Sequence, residues 1–542
     1  MTATQTSVDL IVVGSGAGGL TTAIAAADRG LTVLVLESSD RWGGSSSMSG
    51  GGLWLPNNPL MQREGVHDSR EDALTYLEET IGDAGPATSR ARKEAFVDNI
   101  APFVQLCERH GMKWARSTNY PDYYPELPGG RIGRALEVEP YDRRKIGTWW
   151  DSSRGQDGVP LPMMTNDFWL MARAWSTPGG FARAARVVGR TVGTTVTGKK
   201  AIAMGPALMA SMLEVALRLG VELRLNSPVD ELLVDGDGVT GVIVNGQEIR
   251  ANAAVMLASG GFDHNDEWRQ KYQGIDGRDS SGSHSNKGSA TAAAMAIGAA
   301  VDLMDDAWWG GSIPGPAPDG KPSFLVSERS MPFSIIVDEE GNRFANESES
   351  YVDLGHHMRS HPVKGAFWMI ADVRHARRYL RSYALDPKGM KAMTEQGIAA
   401  KADTLAELAA TIGVNAEGLR KTIARFNGFA LAGMDEDFKR GSSAYDRYYG
   451  DPLVQPNPNL GPLEKGPFTA FRIVAGDLGT KGGILTDERA RALREDGSVI
   501  PGLYATGNAS ASVMGHTYPG PGSTIGPAAV FGYIAARDVA GA

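Results

Sequence analysis

The sequence predicts an α/β fold: a Rossmann-like domain assembled from two distant stretches of chain, with an α+β domain inserted between them. Three observations carry this. The N-terminal stretch alternates strand, glycine turn, small-residue helix and strand, and ends on an acid; an α/β rhythm returns between residues 208 and 262; and a short glycine-ended strand, Gly502-Leu503-Tyr504-Ala505-Thr506-Gly507-Asn508, stands near the C-terminus. At 542 residues the chain is too long for one hydrophobic core and should divide into two or three domains.

Residues 8–13 read as a buried parallel strand, followed by Gly14-Ser15-Gly16-Ala17-Gly18-Gly19, an alanine-rich helix to Asp28, and a second strand that ends at Glu37. Gly14 permits the turn, and Gly16 lets the backbone approach a pyrophosphate at the helix N-terminus. Gly19 allows helix and strand to pack closely, and Glu37 can accept from ribose hydroxyls. A dinucleotide site follows. After Glu37 the chain does not go on to another strand. Ser38 leads into a glycine and serine loop with Gly43, Gly44, Ser45, Ser46, Gly50, Gly51 and Gly52, which resembles the segment that flavoproteins lay along pyrophosphate and isoalloxazine. FAD is therefore expected rather than NAD, with Ala17 and Gly18 beside the pyrophosphate.

Residues 208–219 are helical by period and 221–225 form a strand. Residues 229–244 make a hairpin around Asp235-Gly236-Asp237-Gly238. Residues 254–262 are a buried strand breaking at paired glycines, which places Ala258, Ser259 and Gly260 toward the cofactor, with Val229 beside it. Trp308 to Pro316 reads as a Pro/Gly break. Residues 311–450, with helices at 403–412 and 417–431, read as the inserted substrate domain between a first part (1–310) and a second part (451–542) of the FAD domain. In the second part Gly507 and Asn508 close over the flavin. Residues 515–526, Gly-His-Thr-Tyr-Pro-Gly-Pro-Gly-Ser-Thr-Ile-Gly, put one tyrosine and free backbone N–H groups at the start of a small-residue helix. That combination suits an oxyanion site, with Ser523, Thr524 and Ile525 at the helix end against the flavin.

The net charge of −9, from 63 acidic and 54 basic residues, gives no support to nucleic-acid binding. Cys107 is the only cysteine, which excludes an intramolecular disulfide and CxxC metal chemistry and fits a reducing compartment. The N-terminus lacks a basic, signal-like start, and the apolar run after it is too short to cross a bilayer, so a cytoplasmic location is expected. One stretch departs from the rest. Residues 166–200 hold Arg173, Arg183, Arg186, Arg190, Lys199 and Lys200 against Asp167 alone, and Phe181, Ala184, Ala185 and Val188 share one helical face. Such a helix commonly packs on its own protein's core; the alternative is an interfacial membrane helix on the inner face of the cell membrane.

The assembled motifs resemble the 3-ketosteroid dehydrogenases of the succinate dehydrogenase/fumarate reductase flavoprotein superfamily, the Δ1-dehydrogenases most of all. They are the FAD segments, Tyr120-Pro121-Asp122-Tyr123-Tyr124-Pro125, Asn342-Arg343-Phe344-Ala345-Asn346-Glu347-Ser348 leading to Tyr351, Asp446-Arg447-Tyr448-Tyr449-Gly450, Gly479-Thr480-Lys481-Gly482-Gly483, and residues 515–526. The resemblance implies a 3-ketosteroid substrate, a quinone or other electron acceptor, and no metal. Tyr518 and the Gly522 N–H would polarise the 3-keto group, and Tyr351 would take the proton from carbon 2. Tyr123 would assist it, with Tyr120 and Tyr124 as competing candidates, while hydride passes from carbon 1 to flavin N5. A tyrosine base, with an ordinary pKa of ~10, needs a lowered pKa or a relay. The early loop lacks the histidine that binds flavin covalently in some relatives, so noncovalent FAD is implied. No histidine precedes Gly482, which argues against a C4-dicarboxylate, although Lys481 and Arg343 could serve anions. A Δ4-(5α)-dehydrogenase shares this logic, and a silent flavin-binding electron relay is the non-enzyme alternative.

Overall fold

The computed structural model describes residues 7–157, 161–317, 320–362, 365–381, 383 and 386–541; the N-terminal reading over residues 1–6 lies outside them. Its larger sheet has a parallel centre in which Ser7–Val13 lies between Val33–Leu36 and Gln247–Leu257. Glu222–Arg224 extends one side and Val499–Ala505 the other. The register sets Val12 against Val35 and Met256, so strands from both ends of the chain share one layer. These runs are apolar because both faces are covered. The hairpin Val229–Asp235 and Gly238–Val244 adds antiparallel strands through Gln247–Leu257.

Helix α1 (Ala17–Ala27) covers one face, crossed by the C-terminal helix Ile525–Val539. Their backbones nearly touch: a Cβ on Gly532 would stand 2.6 Å from the Gly18 carbonyl oxygen. Before the second sheet come α2 (Thr165–Met171), α3 (Pro178–Val196) and α4 (Met204–Arg218).

The second sheet is antiparallel and is built on the long strand Phe468–Thr480, which pairs with Ala307–Ile313, Phe367–Ala371 and Ala399–Ala402. One expectation is corrected here. Trp308 to Ile313 is a fully buried strand and not a break; its glycines are packing sites, since a Cβ on Gly310 would fall 2.2 Å from the Phe324 ring. The strands of this layer run from Ala307 to Thr480, with Phe468–Thr480 as its spine. Helices Leu405–Ile412 and Ala416–Ala432 cover one face through Leu408, Leu419 and Phe426. Helix α5 (Tyr351–Ser360) presses Leu354 and Met358 against the other.

Candidate active site

A cavity of about 510 Å³ opens where the central parallel strands end: Val13, Ala258 and Thr506, at or just past the ends of three neighbouring strands, all line it. Ligands bind at such carboxyl ends. Gly14 makes the turn there at φ +104, where a Cβ would be 2.4 Å from the Ala258 carbonyl oxygen. Gly16 caps α1 without a side chain, leaving that helix end to a ligand anion.

Two observations test whether this end fits FAD. A Cβ on Gly16, Gly44, Gly50 or Gly52 would meet protein no closer than 3.5 Å, so these glycines keep open a groove that a side chain would fill. The hydroxyls of Ser259 and Ser281 are buried in the wall without a protein partner. Buried polar groups need partners, and a pyrophosphate or a flavin ring supplies them. Glu37 also lines the groove, its carboxylate oriented by the Ser15 hydroxyl at 2.6 Å and the Ser39 hydroxyl at 3.0 Å. The residues fit the cofactor.

Of the expected cofactor residues, Gly14, Gly16, Ala17, Gly18, Glu37, Ser38, Gly44, Ser45, Ser46, Gly50, Gly51, Gly52, Ala258, Ser259, Gly260, Gly507, Asn508, Thr524 and Ile525 line the cavity. Four do not, and each is placed behind the wall for a reason. Gly19 packs so close that a Cβ would lie 2.0 Å from the Gly14 oxygen. Gly43 buckles the loop at φ +100, its N–H donating to the Ser15 hydroxyl at 2.8 Å. Val229 begins a hairpin strand opposite Val244, with its side chain in the core. The Ser523 hydroxyl donates to the Gly520 carbonyl at 2.7 Å and so closes a turn.

The other end of the cavity is aromatic. Tyr123, Tyr351 and Tyr518, from three elements far apart in sequence, stand with ring centroids 5.4 Å (123 to 351), 5.1 Å (123 to 518) and 5.0 Å (351 to 518) apart. The Tyr351 hydroxyl lies near those of Tyr123 and Tyr518, and the Gly522 N–H and the Thr524 hydroxyl lie near the Tyr518 oxygen. Gly522 holds φ +95, where a Cβ would strike the Gly52 carbonyl oxygen at 2.2 Å, so the backbone donor sits where a side chain could not.

Buried charge fixes this geometry. The Asp122 carboxylate binds Arg134 at 2.7 Å and accepts from the Trp54 indole at 2.7 Å, anchoring the turn before Tyr123. The Pro519 carbonyl accepts from the Tyr123 N–H at 2.9 Å and from the Tyr76 hydroxyl at 2.6 Å, tying two tyrosine loops together. Tyr351 opens α5, where the positive helix end favours a phenolate. Burial nevertheless pushes Tyr123 and Tyr351 well above the ordinary tyrosine value, and Tyr518 upward too. A lowered pKa is therefore not what the free site provides.

The sequence reading missed the apolar wall. Tyr120, which it weighed against Tyr123, lines the cavity, and its hydroxyl contacts that of Tyr449 and lies 3.3 Å from that of Tyr123. It stands as a fourth hydroxyl beside those of Tyr123, Tyr351 and Tyr518, whereas the Tyr124 hydroxyl turns away to Asp353 at 2.9 Å. Phe168, Trp169, Phe324, Val326 and Leu478 complete the apolar wall. Lys481 and Arg343 do not face the cavity. Lys481 is buried against Asp306 at 3.3 Å, and Arg343 against Glu347 at 2.7 Å and Asp435 at 2.8 Å. Among the described wall residues the sole charged side chain is Glu37, and none is histidine or cysteine.

Residues 9–525 match the FAD binding domain family. The 3-oxosteroid 1-dehydrogenase of Mycobacterium tuberculosis is 44% identical, across 98% of this chain and 98% of its own. The chain belongs to the 3-oxosteroid 1-dehydrogenase family. FAD is its cofactor and its class is that of the oxidoreductases. The 3-ketosteroid Δ1-dehydrogenase of Sterolibacterium denitrificans, solved with 1,4-androstadiene-3,17-dione, superposes on this family member with TM-score 0.92 at 36% identity, covering 99% of this chain and all of that one. The 4-oxocyclohexanecarboxylate 2-dehydrogenase of Sinomonas cyclohexanicum is 36% identical, over 99% of this chain and 93% of its own.

In this family member the segment at 166–200 has an unexpected orientation. Helix α2 supplies Phe168 and Trp169 to the cavity wall, and its buried Asp167 pairs with Arg183 at 3.1 Å and Arg190 at 2.8 Å. A buried carboxylate requires such partners, and they draw Arg183 and Arg190 of α3 inward, while Arg186 stays exposed. The apolar stripe therefore faces out: Phe181, Val188, Val192 and Val196 are 64%, 61%, 56% and 80% exposed. Packing of that stripe on the protein's own core, the commoner expectation, is not what the chain does. No described helix is long and apolar enough to cross a membrane.

Proposed function

We propose that this enzyme introduces a 1,2 double bond into ring A of 3-ketosteroids. The observation that carries the proposal is the convergence of the Tyr351 and Tyr518 hydroxyls with the Gly522 N–H at the apolar end of the cavity. A C3 carbonyl oxygen placed between Tyr518 and Gly522 N–H receives two hydrogen bonds that strengthen as enolate charge develops. The adjacent C2 then lies beside Tyr351, which takes its proton. Tyr123 holds the Tyr351 oxygen, and Tyr120 with Tyr449 gives the proton a path of hydroxyls away from the ring. Bound FAD would supply the acceptor for the hydride from C1. The groove residues named above would hold it noncovalently, and a quinone or similar acceptor would reoxidise it.

An electroneutral steroid suits a wall whose charged side chain, Glu37, lies at the opposite end. A second reading comes from the relative named for 4-oxocyclohexanecarboxylate, because the same α-proton chemistry serves any cyclic ketone. The apolar wall counts against it, offering no cation for a carboxylate. The experiment is anaerobic incubation with a 5α-saturated 3-ketosteroid and an artificial acceptor. A 1,2-ene product supports the proposal; a 4,5-ene product transfers the enzyme to the Δ4 class. Flavin that stays oxidised with every ketone when the acceptor is left out leaves only an electron relay.

Because burial holds the Tyr351 hydroxyl above its ordinary value, the phenolate fraction grows with pH throughout pH 7–10. Single-turnover flavin reduction should therefore accelerate toward alkaline pH; a flat profile with chemistry limiting would remove the tyrosinate step.

The outward stripe of α3 and the exposed Trp175 support peripheral attachment to the inner face of a cell membrane, where poorly soluble steroid and quinone both reside. Burying each such side chain is worth ~1.5 kcal/mol or more, so Phe181→Ser with Val188→Ser should weaken co-sedimentation with anionic vesicles by about tenfold or more. Unchanged sedimentation of the folded variant would refute the attachment.

A further inference from the structure

Behind the aromatic end, outside the cavity wall, lies a cluster that the chemistry above does not use. Asp306 is buried just before the strand Ala307–Ile313. Its Oδ1 accepts from His356 Nε2 at 2.8 Å and from the Trp309 indole at 2.8 Å. Its Oδ2 accepts from His516 Nδ1 at 2.8 Å and pairs with Lys481 Nζ at 3.3 Å. Lys481 Nζ in turn donates to the Thr517 carbonyl at 3.3 Å and lies 4.9 Å from the Trp308 ring centroid. That ring meets the Tyr518 ring edge-on at 5.4 Å.

The partners of this carboxylate are not scattered. His356 sits on α5, the helix whose first residue is Tyr351, and His516 lies two residues before Tyr518. One buried anion thus grips the two elements that carry the proton acceptor and the carbonyl donor. Atoms C2 and C3 of a substrate ring are bonded neighbours, so the two hydroxyls must keep a fixed separation, and a shift of 1 Å in such a pair costs about 10²-fold in rate.

We propose that Asp306 is a positioning residue that sets the spacing of Tyr351 and Tyr518 by holding His356 and His516, with Lys481 as its buried counter-charge and its tie to the Tyr518 loop. The role of Lys481 here is internal. It occupies the position before paired glycines but points to Asp306 and Thr517, not to a ligand.

The inference rests on the functional reading above, and the test separates the two. Holoenzyme variants are compared for FAD content, thermal midpoint and anaerobic flavin reduction by androst-4-ene-3,17-dione. His516→Ala and His356→Ala, at partly exposed sites, should each slow reduction about tenfold with FAD retained. His516→Asn and His356→Gln place an amide N–H near the lost Nδ1 and Nε2, and should restore the rate to within about threefold. Asp306→Asn combined with Lys481→Met keeps the buried site neutral and should slow reduction about 10²-fold. Alanine variants that reduce flavin at the parent rate would overturn the proposal, as would amide variants no faster than the alanines. A parent enzyme that reduces with no ketone would instead fail the functional reading.

Discussion

Tyr518→Phe is expected to slow steroid-driven flavin reduction by ~10²–10³ while FAD remains bound, the usual loss when one preorganised oxyanion donor is removed. The cofactor should persist because Tyr518 sits at the aromatic end, away from the glycine groove that fits the dinucleotide. The ring should also keep its place: its packing on Trp308, Tyr123 and Tyr351 involves carbon atoms that phenylalanine retains. The loss should therefore fall on the rate of reduction at saturating steroid more than on steroid affinity. The donor gains most when charge has reached the oxygen, and in the ground state it only replaces a hydrogen bond from water. Stopped-flow bleaching of the flavin at several steroid concentrations separates the two effects. Near-parent bleaching would leave the Gly522 N–H as the working donor and remove the tyrosine from the mechanism.

What could be read from sequence here divides along a physical line. The glycine turn and its flanking strands were legible because local sequence sets them: Gly14 needs its positive φ, Gly16 needs a bare backbone, and period-two and period-3.6 patterns surround them. The loop pattern singled out Tyr518, but the roles of Tyr123 and Tyr351 came from a resemblance; nothing in the local pattern around Tyr351 distinguishes it from a packed aromatic. Trp308 to Ile313 misled because its glycines look like breakers, yet in a buried strand they make room for Phe324 and Leu354. For α3, periodicity gave the stripe but not its direction. That direction depends on Asp167, a carboxylate on another helix, which draws Arg183 and Arg190 inward. The Asp306 cluster was invisible for the same reason: His356, Lys481 and His516 are 50 to 210 residues away in sequence and meet only through tertiary packing.

Loss of the proton acceptor should look different from loss of the carbonyl donor. Tyr351→Phe is expected to slow flavin reduction by ~10²–10⁴, the range for removing a positioned general base. Two further signatures follow from its place in the hydroxyl series. Proton removal becomes the slow step, so a substrate deuterated at C2 should show a larger isotope effect than in the parent enzyme. The alkaline rise should also disappear, because the group that ionises is gone, whereas Tyr518→Phe should keep it. Tyr123 packs against Tyr351 with ring centroids 5.4 Å apart and has Tyr120 behind it. If it works through Tyr351, the two side chains act as one unit: Tyr123→Phe should cost rate in the parent and little more once Tyr351 is phenylalanine. Additive losses in the double variant would mean that Tyr123 meets the substrate independently, and a surviving alkaline rise in Tyr351→Phe would assign the base to another residue.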